Sequence, residues 1–133
     1  MNKILLLALT VLLGACSTMN STPHATLDGE VYYLERIGLP STATVEVSLQ
    51  DVSLADAPAV TLAKQSGQIK GQIPLPFHLT YDPADIKPGH RYAISARIEN
   101  NGRLLFINTE HHGVDLNAKS LQPIRVRVNP VAN

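Results

Sequence analysis

Five histidines are the side chains of this sequence best suited to chemistry, and two of them are adjacent, in Glu110-His111-His112. Paired imidazoles bind copper or zinc, and His78 and His90 are further nitrogen donors that folding can bring to the same ion. Neighbouring residues on a strand point to opposite faces, so His111 and His112 share an ion only in irregular backbone, which Gly113 permits. No HExxH motif and no paired ligand spacing accompanies them. The expectation is therefore no metal and no cofactor, with His111 and His112 as the alternative ligand pair of a small-ligand or metal-binding module. Ser, His and Asp all occur, yet no GxSxG turn presents a serine as a nucleophile. Asp82 and Asp85 are two carboxylates close in sequence, but Asp82 before Pro83 has the pattern of a helix cap and Asp85 that of a surface turn. Nucleophile, base and orienter never come together in one motif, so no catalytic residue is assigned and no enzyme is expected.

The single cysteine, Cys16, cannot close an intramolecular disulfide or build a thiolate zinc site. Its surroundings give it a different role. Lys3, an apolar run from Ile4 to Leu13 and the small pair Gly14-Ala15 precede it, the layout of an export signal. As a helix the apolar run covers about 15 Å, half of the roughly 30 Å of a bilayer core, so it is not a membrane span. Leu13-Gly14-Ala15-Cys16 resembles the lipobox of bacterial lipoprotein precursors: one large apolar residue, two small ones and a cysteine. What this implies is a diacylglyceryl group on the Cys16 thiol, cleavage before Cys16 and acylation of the new amino terminus. At about 0.8 kcal/mol per buried methylene, three acyl chains anchor a protein to the membrane permanently. Ser17, where an Asp would favour inner-membrane retention, points to the periplasmic face of the outer membrane. Residues 1–15 are thus expected to be a signal peptide, 16–26 a lipidated flexible tether of small polar residues, and 27–133 the folded domain.

Charge excludes one large class of partner. Eleven Lys and Arg balance eleven Asp and Glu, which leaves no basic footprint for nucleic acid. Aromatic residues make up 5% and Trp is absent, so large flat rings for stacking sugars or bases are also missing. The 133 residues, 44% of them hydrophobic, suffice for one domain with an apolar core.

The elements that position these groups follow a period of two. Ala43, Val45, Val47 and Leu49 alternate with Thr44, Glu46, Ser48 and Gln50, and the same rule separates Tyr92, Ile94, Ala96 and Ile98 from their neighbours. Phe77, Leu79 and Tyr81 repeat the pattern, as do Ile124, Val126 and Val128. Asn101-Gly102 predicts a type I′ hairpin, because both residues accept positive φ. Gly38 to Ser41, Asp56 to Pro58, Ser66-Gly67 and Pro88-Gly89 mark further bends. The spacing predicts about seven strands, near 28–37, 43–51, 58–64, 68–81, 90–99, 103–109 and 121–128. That number in about a hundred residues predicts an all-β fold, a small antiparallel β-sandwich, with a small closed β-barrel as the alternative.

Two segments break the alternation. Val31-Tyr32-Tyr33-Leu34 and Leu104-Leu105-Phe106-Ile107 are apolar on both faces. If Val31, Tyr33, Leu104 and Phe106 face the core, then Tyr32, Leu34, Leu105 and Ile107 face outward, and the expectation is one partner-binding patch made of these four. Arg91, Arg97, Arg125 and Arg127 also lie on outward faces, where cross-strand pairing with Glu46, Glu99 or Glu110 is expected.

The stretches Gly29-Glu30-Val31, Thr44 to Ser53, Pro74 to Pro83, Tyr92 to Ile98 and Gly102 to Thr109 resemble the YbaY/YscW family of small envelope lipoproteins. The similarity covers nearly all of residues 27–128 and is greater to the YbaY branch. The resemblance implies a β-sandwich lipoprotein without catalytic residues. Its YscW branch comprises pilotins of type III secretion, which bind an outer-membrane secretin and aid its assembly. The implied function is a non-enzymatic binding or assembly factor, anchored through Cys16, for a secretin or another envelope protein.

Overall fold

Alternation of apolar and polar residues creates sheets with one oily face each, and two such faces bury one another. The computed structural model describes residues 14–16, 21–117 and 123–132. The apolar signal run, residues 17–20 of the tether and residues 121–122 of the last expected strand lie outside the described residues. The strands are β1 (Ala25–Tyr32), β2 (Thr44–Asp51), β3 (Val60–Gln68), β4 (Leu75–Tyr81), β5 (Tyr92–Asn100), β6 (Arg103–Ile107), β7 (His112–Val114), β8 (Ile124–Arg127) and β9 (Asn129–Pro130). One sheet has the order β4-β1-β8; the other runs β3-β2-β5-β6-β9, with β7 also paired to β5. The result is the expected all-β sandwich, with no closed barrel. Among the described residues no helix is long and apolar enough to cross a membrane.

Leu27, Val31, Leu79 and Val126 of the smaller sheet meet Val47, Leu49, Ile94 and Ile98 of the larger one, each at most 1% exposed. Burial of each such side chain contributes about 1.5–3 kcal/mol. β4 obeys the period-two rule at every position, with Leu75, Phe77, Leu79 and Tyr81 inside and the residues between them outside. The ring of Phe77 crosses β1 at Gly29, where a Cβ would stand 2.5 Å from the ring and 2.2 Å from the Ile124 carbonyl oxygen. Glycine is therefore required there by space.

The turns follow their local chemistry. Asn101 and Gly102 have φ of 51° and 78°, the positive pair of a type I′ hairpin. Asp82 accepts a hydrogen bond from the Ala84 N–H at 2.9 Å, capping a single 3₁₀ turn over Pro83–Asp85.

Differences from expectation arise where pairing is non-local. The short strands β7 and β9 raise seven to nine. β1 pairs with β8 in parallel, so the smaller sheet is mixed. β1 ends at Tyr32 and β4 begins at Leu75, while β3 extends to Gln68. The chain passes from one sheet to the other between β8 and β9, and the Val128 N–H donates to the Tyr32 carbonyl at 2.9 Å at the crossing.

Asn108 fills the gap that opens on β5 between β6 and β7. Its Oδ1 accepts from the Ala96 N–H at 2.9 Å, and its Nδ2 donates to the Ile94 carbonyl at 3.0 Å. The side-chain amide thus substitutes for a peptide group in the ladder.

Candidate functional site

The strand directions give the sandwich two ends. β1 enters at Ala25, opposite Tyr81, and the same end carries Asp51, Val60 and Tyr92, which are in register across β3, β2 and β5. At the other end lie Thr44, Gln68, the Asn101-Gly102 turn and residues 33–43, which connect the sheets.

An apolar groove of about 320 Å³ occupies this second end, between the connection and the β6–β9 edge. Its floor is Phe106, whose ring stacks on Tyr33 with centroids 4.2 Å apart and planes at 9°. The Tyr33 hydroxyl donates to the Ile37 carbonyl, and burial, with the Glu35 carboxylate second, pushes the phenol above its ordinary range. Leu39 is buried, and its N–H and carbonyl are both held by one side chain. Its N–H donates to Gln72 Oε1 at 2.7 Å, and Gln72 Nε2 donates to its carbonyl at 3.0 Å. On the opposite wall, the β5–β6 register shifts so that Leu104 pairs with Glu99 and Phe106 with Ile98, leaving Leu105 as the extra residue of a bulge. Pro130 pairs with Phe106, and the Val131 N–H donates to the Leu105 carbonyl at 3.0 Å. Ile37 stands 56% exposed at the mouth.

The four residues expected to form one patch do not share one. Tyr32 lies on the outer face of the smaller sheet, under the Arg125 guanidinium at 4.4 Å from its ring centre. Ile107 pairs with Arg97 on the outer face of the larger sheet. Leu34 is 62% exposed beyond the end of β1. Of the four only Leu105 lines the groove, packed against the core by the bulge, while Leu104 beside it takes the outward position expected of Leu105 and lines the same groove from that side. A one-residue insertion reverses the facing of a strand beyond it, which is why plain alternation misassigned this pair. The residues missed were Ile37, Leu39, Pro130 and Val131. Their one sequence signal was apolar side chains placed among Gly and Pro, where a solvated bend has no need of them.

The histidines are dispersed. His78 contacts Asp28, and His90 Nδ1 lies 2.6 Å from Asp51 Oδ2. His112 sits in β7 rather than in a loop, and His111 precedes that strand. Desolvation, and then the neighbouring His111, lower the pKa of His112. No group of three or more His, Cys, Asp or Glu able to hold a metal occurs among the described residues. The cross-strand pairing expected of the outward arginines does not form at Arg97, which bonds Glu99 two positions along its own strand, whereas Arg125 does reach across strands, to Glu30 of β1 at 2.7 Å, a partner not among those expected.

At the β1-entry end, Ser53 Oγ donates to Asp51 Oδ1 at 2.5 Å, and the Ser53 N–H donates to the same oxygen at 3.0 Å. The Arg91 N–H donates to Ser53 Oγ at 2.8 Å. The Ser53 hydroxyl, followed by His90, holds Asp51 at a pKa of about 2. Serine and histidine both bind the carboxylate, and no imidazole nitrogen reaches the serine oxygen. A carboxylate this weakly basic ties two loops together but does not activate a hydroxyl. A second cavity, about 290 Å³, adjoins it beneath Leu54, Val60 and Leu62.

Comparison with known proteins agrees with this architecture. Residues 22–126 match the family described as type III secretion system lipoprotein chaperone (YscW). The chain is 40% identical over 82 residues, 61% of its length, to the uncharacterized lipoprotein YbaY of Escherichia coli K12, and spans 43% of that relative. The structure of an alternative pilotin from the type II secretion system of Vibrio cholerae is 46% identical, covers 84% of this chain and 100% of the other, and superposes with a TM-score of 0.77.

Proposed function

Because the chain belongs to the type III secretion system lipoprotein chaperone (YscW) family, we propose that it is a pilotin-like assembly factor of the bacterial envelope, anchored to the periplasmic face of the outer membrane by acyl groups on Cys16. Its groove takes an apolar segment of a secretin subunit or another envelope protein. The observation that carries this reading is the 46% identity to a solved pilotin over the whole of that chain. The groove supplies the physics: apolar walls, preformed by the Gln72 clamp and the Tyr33–Phe106 stack, bind an apolar segment without first having to order themselves. Cys16 is exposed, as attachment of acyl chains requires. The role is binding rather than chemical transformation, and no residue is assigned to catalysis.

The test is a photo-reactive amino acid at Leu104 in the full-length lipidated protein, irradiated in intact cells, with Thr80 on the outer face of β4 as the control position. Capture of one envelope protein from Leu104 and not from Thr80 is expected, and Leu104→Glu should abolish its recovery while moving stability by less than about 1 kcal/mol. Equal recovery from both positions overturns the groove as the site. Failure of Cys16→Ser to abolish acyl labelling overturns the anchor.

A further inference from the structure

The β1-entry end of the sandwich carries two large apolar side chains that stand mostly in solvent. Leu54 is 73% exposed and Val60 60% exposed; both lie at the rim of the cavity beside Asp51 and His90. Register places this end and the start of the folded chain together. Ala25 pairs with Tyr81 at the close of β4, and Val60 pairs with Asp51, itself opposite Tyr92. Cys16 precedes Ala25 by nine positions, a reach of at most about 30 Å when fully extended. The strands themselves rise about 27 Å from end to end, so the groove end meets the membrane only if the linker runs back along the domain almost fully extended, whereas the entry end meets it with the linker relaxed.

Resting on the anchoring of Cys16 proposed above, we infer that the pair formed by Leu54 in its loop and Val60 at the start of β3 is a second membrane contact, seated in a lipid surface so that the apolar groove points away from the bilayer. Charge decides what kind of surface. The loops of this end carry Asp51, Asp56, Asp82 and Asp85 against Lys87 and Arg91, an acidic excess that anionic headgroups repel. The contact is therefore apolar and made with zwitterionic lipid. Two side chains give weak binding by themselves, but the tether holds them at high local concentration beside the membrane, and weak contacts then suffice to fix orientation. Leu54 also lies in the loop that the Asp51–Ser53 hydrogen bonds and the Val52–Arg91 backbone bond hold rigid, so it is presented in one place.

The experiment uses full-length protein purified in its acylated form and reconstituted in phosphatidylethanolamine-rich vesicles. Acylation consumes the Cys16 thiol, so Leu54→Cys, Val60→Cys and, at the groove end, Ser41→Cys each offer one site for an environment-sensitive fluorophore. Nitroxide-labelled lipids are expected to quench the probes at 54 and 60 several-fold more than the probe at 41. In a Leu54→Asp/Val60→Asp background, the probe at 41 is expected to gain quenching as orientation is lost. Acylated protein with equal quenching at all three positions, or an unchanged probe at 41 in the double variant, overturns the membrane contact and leaves the anchor standing. Protein that carries no acyl label overturns the anchor and this contact together.

Discussion

The two ends of the sandwich solve opposite problems with the same strands. At the groove end, residues 33–43 bring apolar side chains to the surface and hold them there by bonds to their backbone: Gln72 grips the Leu39 N–H and carbonyl, and the Tyr33 hydroxyl meets the Ile37 carbonyl. The apolar atoms stay at the surface because the polar groups are paired behind them. At the β1-entry end the order is inverted. Asp51, Ser53 and His90 satisfy one another in the interior of the loops, while Leu54 and Val60 stand exposed around the cavity beside them. A small domain thus builds its two ends on different interactions, apolar packing over bonded backbone at one and a hydrogen-bonded polar cluster at the other, and the two should respond to different perturbations.

The sharpest separation comes from Leu39→Ala. Leu39 is 6% exposed and belongs to both core and groove, so its truncation should cost about 2–5 kcal/mol. Urea unfolding measures that loss, and partner capture from Leu104 should fall with it. Gln72→Ala removes two hydrogen bonds and no apolar surface. It should cost about 1–2 kcal/mol and weaken capture by loosening the groove wall, which Gln72→Glu, keeping only the acceptor, should restore in part.

At the β1-entry end the expected effects are smaller and depend on pH. The pKa of Asp51 falls from the ordinary 3.8 to about 2. The native state therefore binds the proton less well than the unfolded chain, and the carboxylate's contribution is complete above about pH 4 and lost as pH falls through about 2. Asp51→Asn should lower the unfolding midpoint at neutral pH, converge with the parent near pH 2, and leave capture at the groove unchanged. The smallest effect belongs to His112. Its pKa lies below the ordinary 6.5, so the native state resists a proton that the unfolded chain accepts, and stability should decline as pH drops below about 6.5. His112→Gln should flatten that slope over pH 7 to 5 in parallel denaturation curves.

Most of the fold was legible in the residues because its signals are local. Period two in Phe77, Leu79 and Tyr81 assigns a face to β4 without reference to any other strand, Asn101-Gly102 dictates its own hairpin, and Asp82-Pro83 its own cap. The resemblance of Leu13–Cys16 to a lipobox is likewise a pattern of neighbours, and the stretches shared with the YscW family are strand and turn sequences that carry the fold more than the site. The groove was only half legible. Leu105 and the apolar character of Leu104–Ile107 stood out, whereas Ile37, Leu39, Pro130 and Val131 gave no periodic signal.

What the tertiary structure decided was everything that depends on partners distant in sequence. Whether β1 gains a parallel neighbour in β8 rests on hydrogen bonds between residues 29–32 and 124–127, and no local propensity encodes that choice. The bulge at Leu105 lies on a β5 edge shared by β6, the Asn108 amide and β7 in succession, and its one-residue shift exchanged the facing of Leu104 and Leu105. The four-residue patch dissolved for the same reason: alternation tells each side chain that it points outward, but two sheets packed face to face have two outsides, and only their packing tells which residues share one.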